Sequence, residues 1–154
     1  LDEMMARYAS YEHLAEIVRY RFRRPQATLR ELFSRLVFNV LCSNTDDHAR
    51  NHAAFWDGSR LSLTPAYDIC PQARTGQEAT QAMLISGHNR FSRLDVCRNA
   101  ALQFLLSKAE AQTIINRQIE TIHQYWNLVC EEAELPQADK SLLWSRQFLN
   151  PYSI

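Results

Sequence analysis

Apolar residues recur at helical spacing along much of the chain, and this pattern predicts a mainly α-helical fold. The clearest stripe lies between residues 29 and 41, where apolar side chains repeat every three or four positions. Its members are Leu29, Leu32, Phe33, Leu36, Val37, Val40 and Leu41. Thr28 and Glu31 stand in the spacing of a capping box at its start. We expect a helix that lies against the core along its whole length and ends near Ser43.

Four further helices are predicted from shorter stripes and from their capping residues. Their starts are assigned to Ser10, to Ser92 with Asp95, to a capping box at Ser107 and Glu110, and to a position near 138. The helix after Ser107 is long and carries one apolar stripe: Ile115, Ile119, Ile122, Trp126 and Val129. Prolines end three of these helices, because proline cannot donate the next backbone hydrogen bond; they are Pro25, Pro136 and Pro151.

One β-hairpin is predicted in the middle of the chain. Asp57-Gly58 separates two short runs with apolar residues, at 52–56 and 60–63, and Asp-Gly is a strong hairpin signal. Pro65 then ends the second run. Residues 74–80 are expected to form a loop, and residues 82–85 a short strand or a buried turn.

Composition indicates a globular protein with no global bias toward nucleic acid or membranes. The chain has 154 residues, of which 46% are hydrophobic and 22% charged, and its formal net charge is zero. We expect one domain over residues 1–154, with no membrane-spanning segment, cut from a longer cytoplasmic protein. Of the four cysteines, we expect Cys42, Cys97 and Cys130 to be buried, reduced thiols, because they stand in apolar helical patterns.

A polar loop at residues 43–51 follows the strongest helix and carries candidate chemistry. Asp46 and Asn51 are five positions apart, as in phosphoryl-transfer loops where an Asp faces the attacking hydroxyl and an Asn reaches a metal ion. Asp68 lies beyond the predicted hairpin, which folds the chain back toward Asn51. The pattern therefore favours half of a kinase active site.

Two other interpretations of this loop remain open. His48 and His52 have the i, i+4 spacing of a metal-binding pair, and Asp46, Asp47 and Asp68 could complete a metallohydrolase site. However, Ala49 stands where the His-Glu-x-x-His motif needs its Glu base. Alternatively, the short polar residues only form a turn.

The segments N-T-D-D-H-A-R-N at 44–51 and L-T-P-A-Y-D-I at 63–69 resemble the signature of HipA-like serine/threonine kinases, toxins of bacterial toxin–antitoxin pairs. The resemblance implies an α-helical C-terminal kinase lobe with one small β-hairpin beside the catalytic loop. It makes Asp46 the catalytic base and Asn51 and Asp68 the Mg²⁺ ligands. His48 and Tyr67 would line the phosphate end of the nucleotide site, and no role is assigned to Asp47.

The same resemblance implies ATP and Mg²⁺ as cofactors, a protein substrate such as an aminoacyl-tRNA synthetase, and a DNA-binding antitoxin partner. The N-terminal nucleotide lobe is expected outside this chain, because three glycines cannot supply a Gly-rich phosphate loop. We expect the fragment alone to be inactive. A non-catalytic helical interaction module and a small-molecule phosphotransferase lobe remain as alternatives, and the sequence upstream would separate them.

Overall fold

The computed structural model describes residues 8–154 and confirms a mainly α fold, about 50% helical, with one small hairpin. The helices are α1 (Tyr11–Arg21), α2 (Pro25–Leu41), α3 (Leu94–Asn99), α4 (Lys108–Glu132) and α5 (Gln137–Leu143). Two 3₁₀ turns cover Ala49–Asn51 and Ala101–Phe104, and strands β1 (Ala54–Trp56) and β2 (Leu61–Leu63) form the hairpin. Helix α2 packs against α1, α3 and α4 and is therefore the central element.

The apolar stripe of α2 is buried as predicted, with all seven of its side chains at 0% exposure. The predicted capping box at its start is wrong. The helix begins one turn earlier, at Pro25, and Arg24 is an N-cap without a side-chain hydrogen bond. Pro at the first helical position already has a helical φ and lacks an amide that would need a partner, so it sets the start. Thr28 and Glu31 consequently lie inside the helix.

Two of the other predicted caps are confirmed and one is wrong. The Ser10 side chain accepts from the His13 amide at 3.1 Å, and Ser107 and Glu110 form a capping box. The Ser92 hydroxyl instead accepts from the Gln81 side chain at 3.3 Å and is fully buried. Helix α3 therefore starts at Leu94, with Arg93 as its N-cap.

The end of α4 and the C-terminal helix differ from the prediction. Val129 is 55% exposed, whereas its neighbour Cys130 is buried, so the α4 stripe does not continue to Val129. Helix α5 is shorter than the expected 138–149 segment, because the chain leaves the helix at Trp144. The Trp144 ring lies 5.0 Å from that of Trp126, between centroids, and this packing holds the C-terminal segment against α4.

The hairpin forms as predicted, with Ala54 opposite Leu63 in an antiparallel register. Gly58 in its turn has a φ of 95°, which glycine adopts without strain. Residues 82–85 form a buried turn rather than a strand of a sheet. Leu84 exchanges backbone hydrogen bonds of 2.9 Å with Ala9 and Tyr11, and thereby ties this turn to the start of α1.

The cysteines behave as expected from their apolar surroundings. Cys42, Cys97 and Cys130 are buried free thiols, and Cys70 is exposed. Burial raises the pKa of Cys42 to about 11 and that of Cys97 to about 12. Within residues 8–154, none of the helices has the length and apolar character needed to cross a membrane.

Candidate functional site

The 43–51 loop leaves the end of α2 through a fixed and unusual backbone turn. Ser43 has a φ of 57°, in the left-handed region that non-glycine residues seldom occupy. Its hydroxyl donates to the Gln147 carbonyl at 2.6 Å, and the Asn44 amide donates to the Asn39 carbonyl at 2.8 Å. The Asn44 side chain also donates to the Asn39 side chain, at 3.0 Å, and both residues are buried. The beginning of the loop is therefore anchored to the core helix.

Short hydrogen-bonded turns define the rest of the loop. The His48 amide lies 2.9 Å from both the Asp46 carbonyl and the Asn51 side-chain oxygen, and the Asn51 amide donates to the His48 carbonyl at 2.9 Å. Asn51 is buried, and the 3₁₀ turn at Ala49–Asn51 places it at the entrance to β1. The Asn51 side chain therefore has one defined orientation.

The hairpin returns the chain to this loop, as the Asp57-Gly58 signal predicts. The Asn51 Nδ2 atom donates to Asp68 Oδ2 at 2.5 Å, although the two residues are 17 positions apart. The Tyr67 hydroxyl donates to the Arg50 carbonyl at 2.6 Å and provides a second link. Asp68 itself has a φ of 56°, so its carboxylate is directed by a strained backbone. The amide nitrogen of Asn51, rather than the expected oxygen, faces Asp68.

Asp46 is directed outward, beside His48. The Asp46 side chain is 64% exposed, and its Oδ1 atom lies 2.8 Å from Nε2 of His48, whose side chain is 30% exposed. A carboxylate in this position can accept a proton or a hydrogen bond from a molecule outside the chain. The structure thus groups Asp46 and His48 on the exposed part of the loop, with Asn51 and Asp68 joined at its end.

Asp47 points the opposite way, into the protein. It is 3% exposed and accepts a hydrogen bond from the hydroxyl of Tyr11, which is fully buried. Its Oδ1 atom lies 3.2 Å from Nε2 of His52, whose side chain is only 4% exposed. We call Tyr11, Asp47 and His52 the Tyr–Asp–His cluster. Sequence reasoning missed it, because no local pattern links Asp47 to a tyrosine 36 positions away.

The ligand shell of a metallohydrolase is not formed by the described residues. His48 contacts Asp46 on the exposed side of the loop, whereas His52 contacts Asp47 on the buried side. Within residues 8–154, no three His, Cys, Asp or Glu side chains are grouped so that they could hold a metal ion. The two histidines therefore belong to separate contacts, although their sequence spacing resembles that of a metal-binding pair.

The donor set at Asn51 and Asp68 fits a hard cation that brings further ligands with it. Carboxylate and amide oxygens are the donors that Mg²⁺ prefers, and Mg²⁺ is commonly held by one or two carboxylates plus substrate phosphates. The Asn51 Oδ1 atom accepts one hydrogen bond, from His48, and an amide oxygen has two lone pairs. Because Asn51 Oδ1 faces the His48 amide and Nδ2 faces Asp68, the Asn51 amide would have to rotate before both residues offered oxygens to one cation.

Comparison with known proteins assigns the chain to a family. The family model of the HipA-like C-terminal domain matches residues 2–126, which include the 43–51 loop, the hairpin and Asp68. No curated protein matches the chain. Because the match extends over most of the sequence and contains the whole candidate site, the chain belongs to the HipA-like C-terminal domain family.

Proposed function

We propose that this chain is the catalytic and Mg²⁺-binding lobe of a HipA-like protein kinase, which transfers the γ-phosphate of ATP to a Ser or Thr hydroxyl. The observation that carries the proposal is the hydrogen bond between Asn51 and Asp68 at 2.5 Å, beside an exposed Asp46. Phosphoryl transfer needs a residue facing the attacking hydroxyl and, nearby, oxygen ligands for the metal. The family match supports the same chemistry.

Asp46 serves as the base for the substrate hydroxyl. A general base must lie within hydrogen-bond reach of the proton it removes, and Asp46 is the exposed carboxylate of the loop. His48 contacts one Asp46 oxygen at 2.8 Å and restricts the orientation of the carboxylate. Such positioning can provide a large part of the reduction in activation free energy, since effective molarities of well-oriented groups reach about 10⁵ M or more.

Asn51 and Asp68 hold Mg²⁺, and Tyr67 fixes the segment that carries Asp68. When bound there, the metal neutralises charge on the phosphates of ATP and orients them. The Tyr67 hydroxyl donates to the Arg50 carbonyl and thereby connects the end of the hairpin to the loop. In this proposal His48, whose side chain is 30% exposed, lines the phosphate end of the nucleotide site.

The remaining parts of the kinase come from outside these residues. A nucleotide lobe elsewhere in the protein supplies the phosphate loop and a strand lysine. The family resemblance extends the proposal to a cytoplasmic toxin whose substrate is a protein, with an aminoacyl-tRNA synthetase as a candidate. A DNA-binding antitoxin is then the expected partner.

The test uses the full-length protein with labelled ATP, Mg²⁺ and a library of Ser- and Thr-containing peptides. Asp46→Asn keeps the shape of the side chain but removes the basic carboxylate, so phosphate incorporation should fall by about 100-fold or more. Binding of ATP, measured by calorimetry, should change by less than about threefold, because Asp46 acts on the acceptor hydroxyl.

Asp139→Asn is the matched control, since Asp139 is an exposed carboxylate in the first turn of α5. It should leave phosphate transfer unchanged. Transfer at the wild-type rate by the Asp46→Asn protein would remove Asp46 from the role of base. If the wild-type protein transfers no phosphate to protein or peptide, a non-catalytic interaction module becomes the better interpretation.

A further inference from the structure

The Tyr–Asp–His cluster joins three parts of the chain beneath the 43–51 loop. Tyr11 comes from the first turn of α1, Asp47 from the loop, and His52 from the short link between the 3₁₀ turn and β1. The Tyr11 and His52 rings pack edge to face, with their centroids 5.6 Å apart. One buried carboxylate thus connects α1 to the 43–51 loop and to the residue that directly follows it, His52.

The Asp47 carboxylate is held in this position by its burial and by its hydrogen bond from Tyr11. A buried charge is tolerated only when it is paired and hydrogen-bonded. Burial, followed by the Asp47 charge, raises the pKa of Tyr11 well above its ordinary value, so Tyr11 remains a protonated donor. Nε2 of His52 is within ion-pair distance of Asp47, but neither ring nitrogen of His52 has a well-directed hydrogen-bond partner among residues 8–154. Tyr11 is therefore the stronger partner of Asp47.

The orientation of Asp47 determines that of its neighbour Asp46. The two side chains lie on opposite sides of one short backbone segment, 3% exposed at Asp47 and 64% exposed in the Asp46 side chain. The His48 amide closes a turn onto the Asp46 carbonyl at 2.9 Å, so the peptide between the two acids cannot rotate freely. A loop held in this way presents Asp46 outward without first having to be ordered by a substrate.

We propose that Tyr11 and Asp47 are positioning residues: their buried hydrogen bond holds the 43–51 loop in the conformation that presents Asp46 to the acceptor hydroxyl. The part of the inference that concerns catalysis rests on the proposed kinase function. The part that concerns loop conformation does not, because it follows from buried contacts alone.

The conformational part is tested by amide hydrogen exchange in the full-length protein. Tyr11→Phe keeps the ring and removes the hydroxyl, so exchange at His48 and Asn51 should accelerate about tenfold or more. Ile115→Val is the control, because it removes one methylene from a core residue in α4 that is 2% exposed. Unchanged exchange in the loop of Tyr11→Phe would overturn the inference, whatever the protein catalyses.

The catalytic part is tested by combining variants with Asp46→Asn. Tyr11→Phe should lower kcat by about 10- to 100-fold with little change in KM for ATP, and it should have no further effect on kcat in the Asp46→Asn background. A merely structural role would lower activity equally in both backgrounds, and Ile115→Val would reproduce it. That result would overturn the positioning role.

Two substitutions at Asp47 test the positioning role without relying on Tyr11→Phe. Asp47→Asn retains an oxygen that can accept from Tyr11 and should retain more activity than Asp47→Ala, whereas equal losses would contradict the assignment. If the wild-type protein shows no phosphoryl transfer, the proposed function fails. The exchange experiment still decides whether the Tyr11–Asp47 hydrogen bond orders the loop.

Discussion

The exposed and buried sides of the 43–51 loop use similar residues for opposite purposes. Asp46 and His48 form a pair that remains open to solvent, with side-chain exposures of 64% and 30%. Asp47 and His52 form a pair whose side chains are 5% and 4% exposed. The comparison shows that residue type alone does not distinguish an exposed carboxylate from a buried one. The side of the backbone on which each residue lies makes that distinction.

Exposure changes what each pair contributes. A solvent-exposed ion pair contributes little to stability, about 0–1 kcal/mol, so Asp46 and His48 are free to serve another role. A buried carboxylate that loses its donor remains desolvated and costs more, about 1–3 kcal/mol or above. Substitutions on the exposed side should therefore alter chemistry, and those on the buried side should alter stability and loop order.

The largest expected effect comes from the helix beneath both sides. Leu36→Asp places an unpaired charge at a position with 0% exposure and should abolish cooperative folding, at a cost of about 4 kcal/mol or more. Circular dichroism during thermal unfolding measures this. Gln26→Asp introduces the same carboxylate at an exposed position in the first turn of α2 and should leave the midpoint nearly unchanged. Cooperative unfolding of Leu36→Asp near the wild-type midpoint would show that α2 is not a core helix.

The second-largest effect is expected when the same Tyr→Phe substitution is made on the buried side and on the exposed side of the loop. Tyr11→Phe leaves the buried Asp47 without its donor and should lower the free energy of unfolding by about 1–3 kcal/mol. Tyr67→Phe removes the exposed hydrogen bond to Arg50 and should cost less than about 0.5 kcal/mol, because water replaces it. Urea unfolding of both variants tests the contrast. Equal losses in the free energy of unfolding of the two variants would show that burial does not determine the cost of removing these hydroxyl groups.

A smaller effect is expected on the affinity for Mg²⁺. In the full-length protein, ATP should strengthen Mg²⁺ binding, because phosphate oxygens would complete the site proposed at Asn51 and Asp68. In Asp68→Asn, the increase in Mg²⁺ affinity caused by ATP should be about tenfold smaller, roughly 1.4 kcal/mol, and the free energy of unfolding should not change. Calorimetry with and without ATP measures the coupling, with Asp139→Asn as the control. Full coupling in Asp68→Asn would exclude Asp68 as a ligand.

The smallest effect concerns the pH dependence of the hairpin that connects Asn51 to Asp68. Hydrogen bonds from the Arg60 and Ser59 amides, and then the Arg23 side chain, lower the pKa of Asp57. Because the pKa is lower in the folded state, this stabilisation is complete above the ordinary carboxyl pKa of about 3.9. It is lost as the pH falls through the lowered value.

The Ser59 and Arg60 amide chemical shifts report that titration. Their midpoint should lie below about 3.9, and Asp57→Asn should abolish it while leaving the other amides of the protein unchanged. A midpoint at or above the ordinary carboxyl value would contradict the hydrogen-bonded turn, which the structure shows with Asp57 Oδ1 at 2.7 Å and 2.8 Å from the two amides.

The sequence by itself determined the features that depend on neighbours along the chain. Helical periodicity located α2, because residues three and four positions apart share one face of a helix. Asp57-Gly58 located the hairpin, since few residue pairs adopt that turn without strain. The approach of Asn51 to Asp68 followed from these two local rules and was predictable, although which atom of the Asn51 amide would face Asp68 was not.

Tertiary structure decided the features that depend on segments far apart. Val129 is 55% exposed whereas its neighbour Cys130 is buried, a difference that the apolar stripe of α4 does not predict. Asp47 is buried because Tyr11, 36 residues earlier, reaches it through the packing of α1 on α2. Patterns along a chain record propensities, whereas burial and hydrogen-bond partners are set by which surfaces meet. The sequence alone therefore could not show that Asp47 is buried against Tyr11.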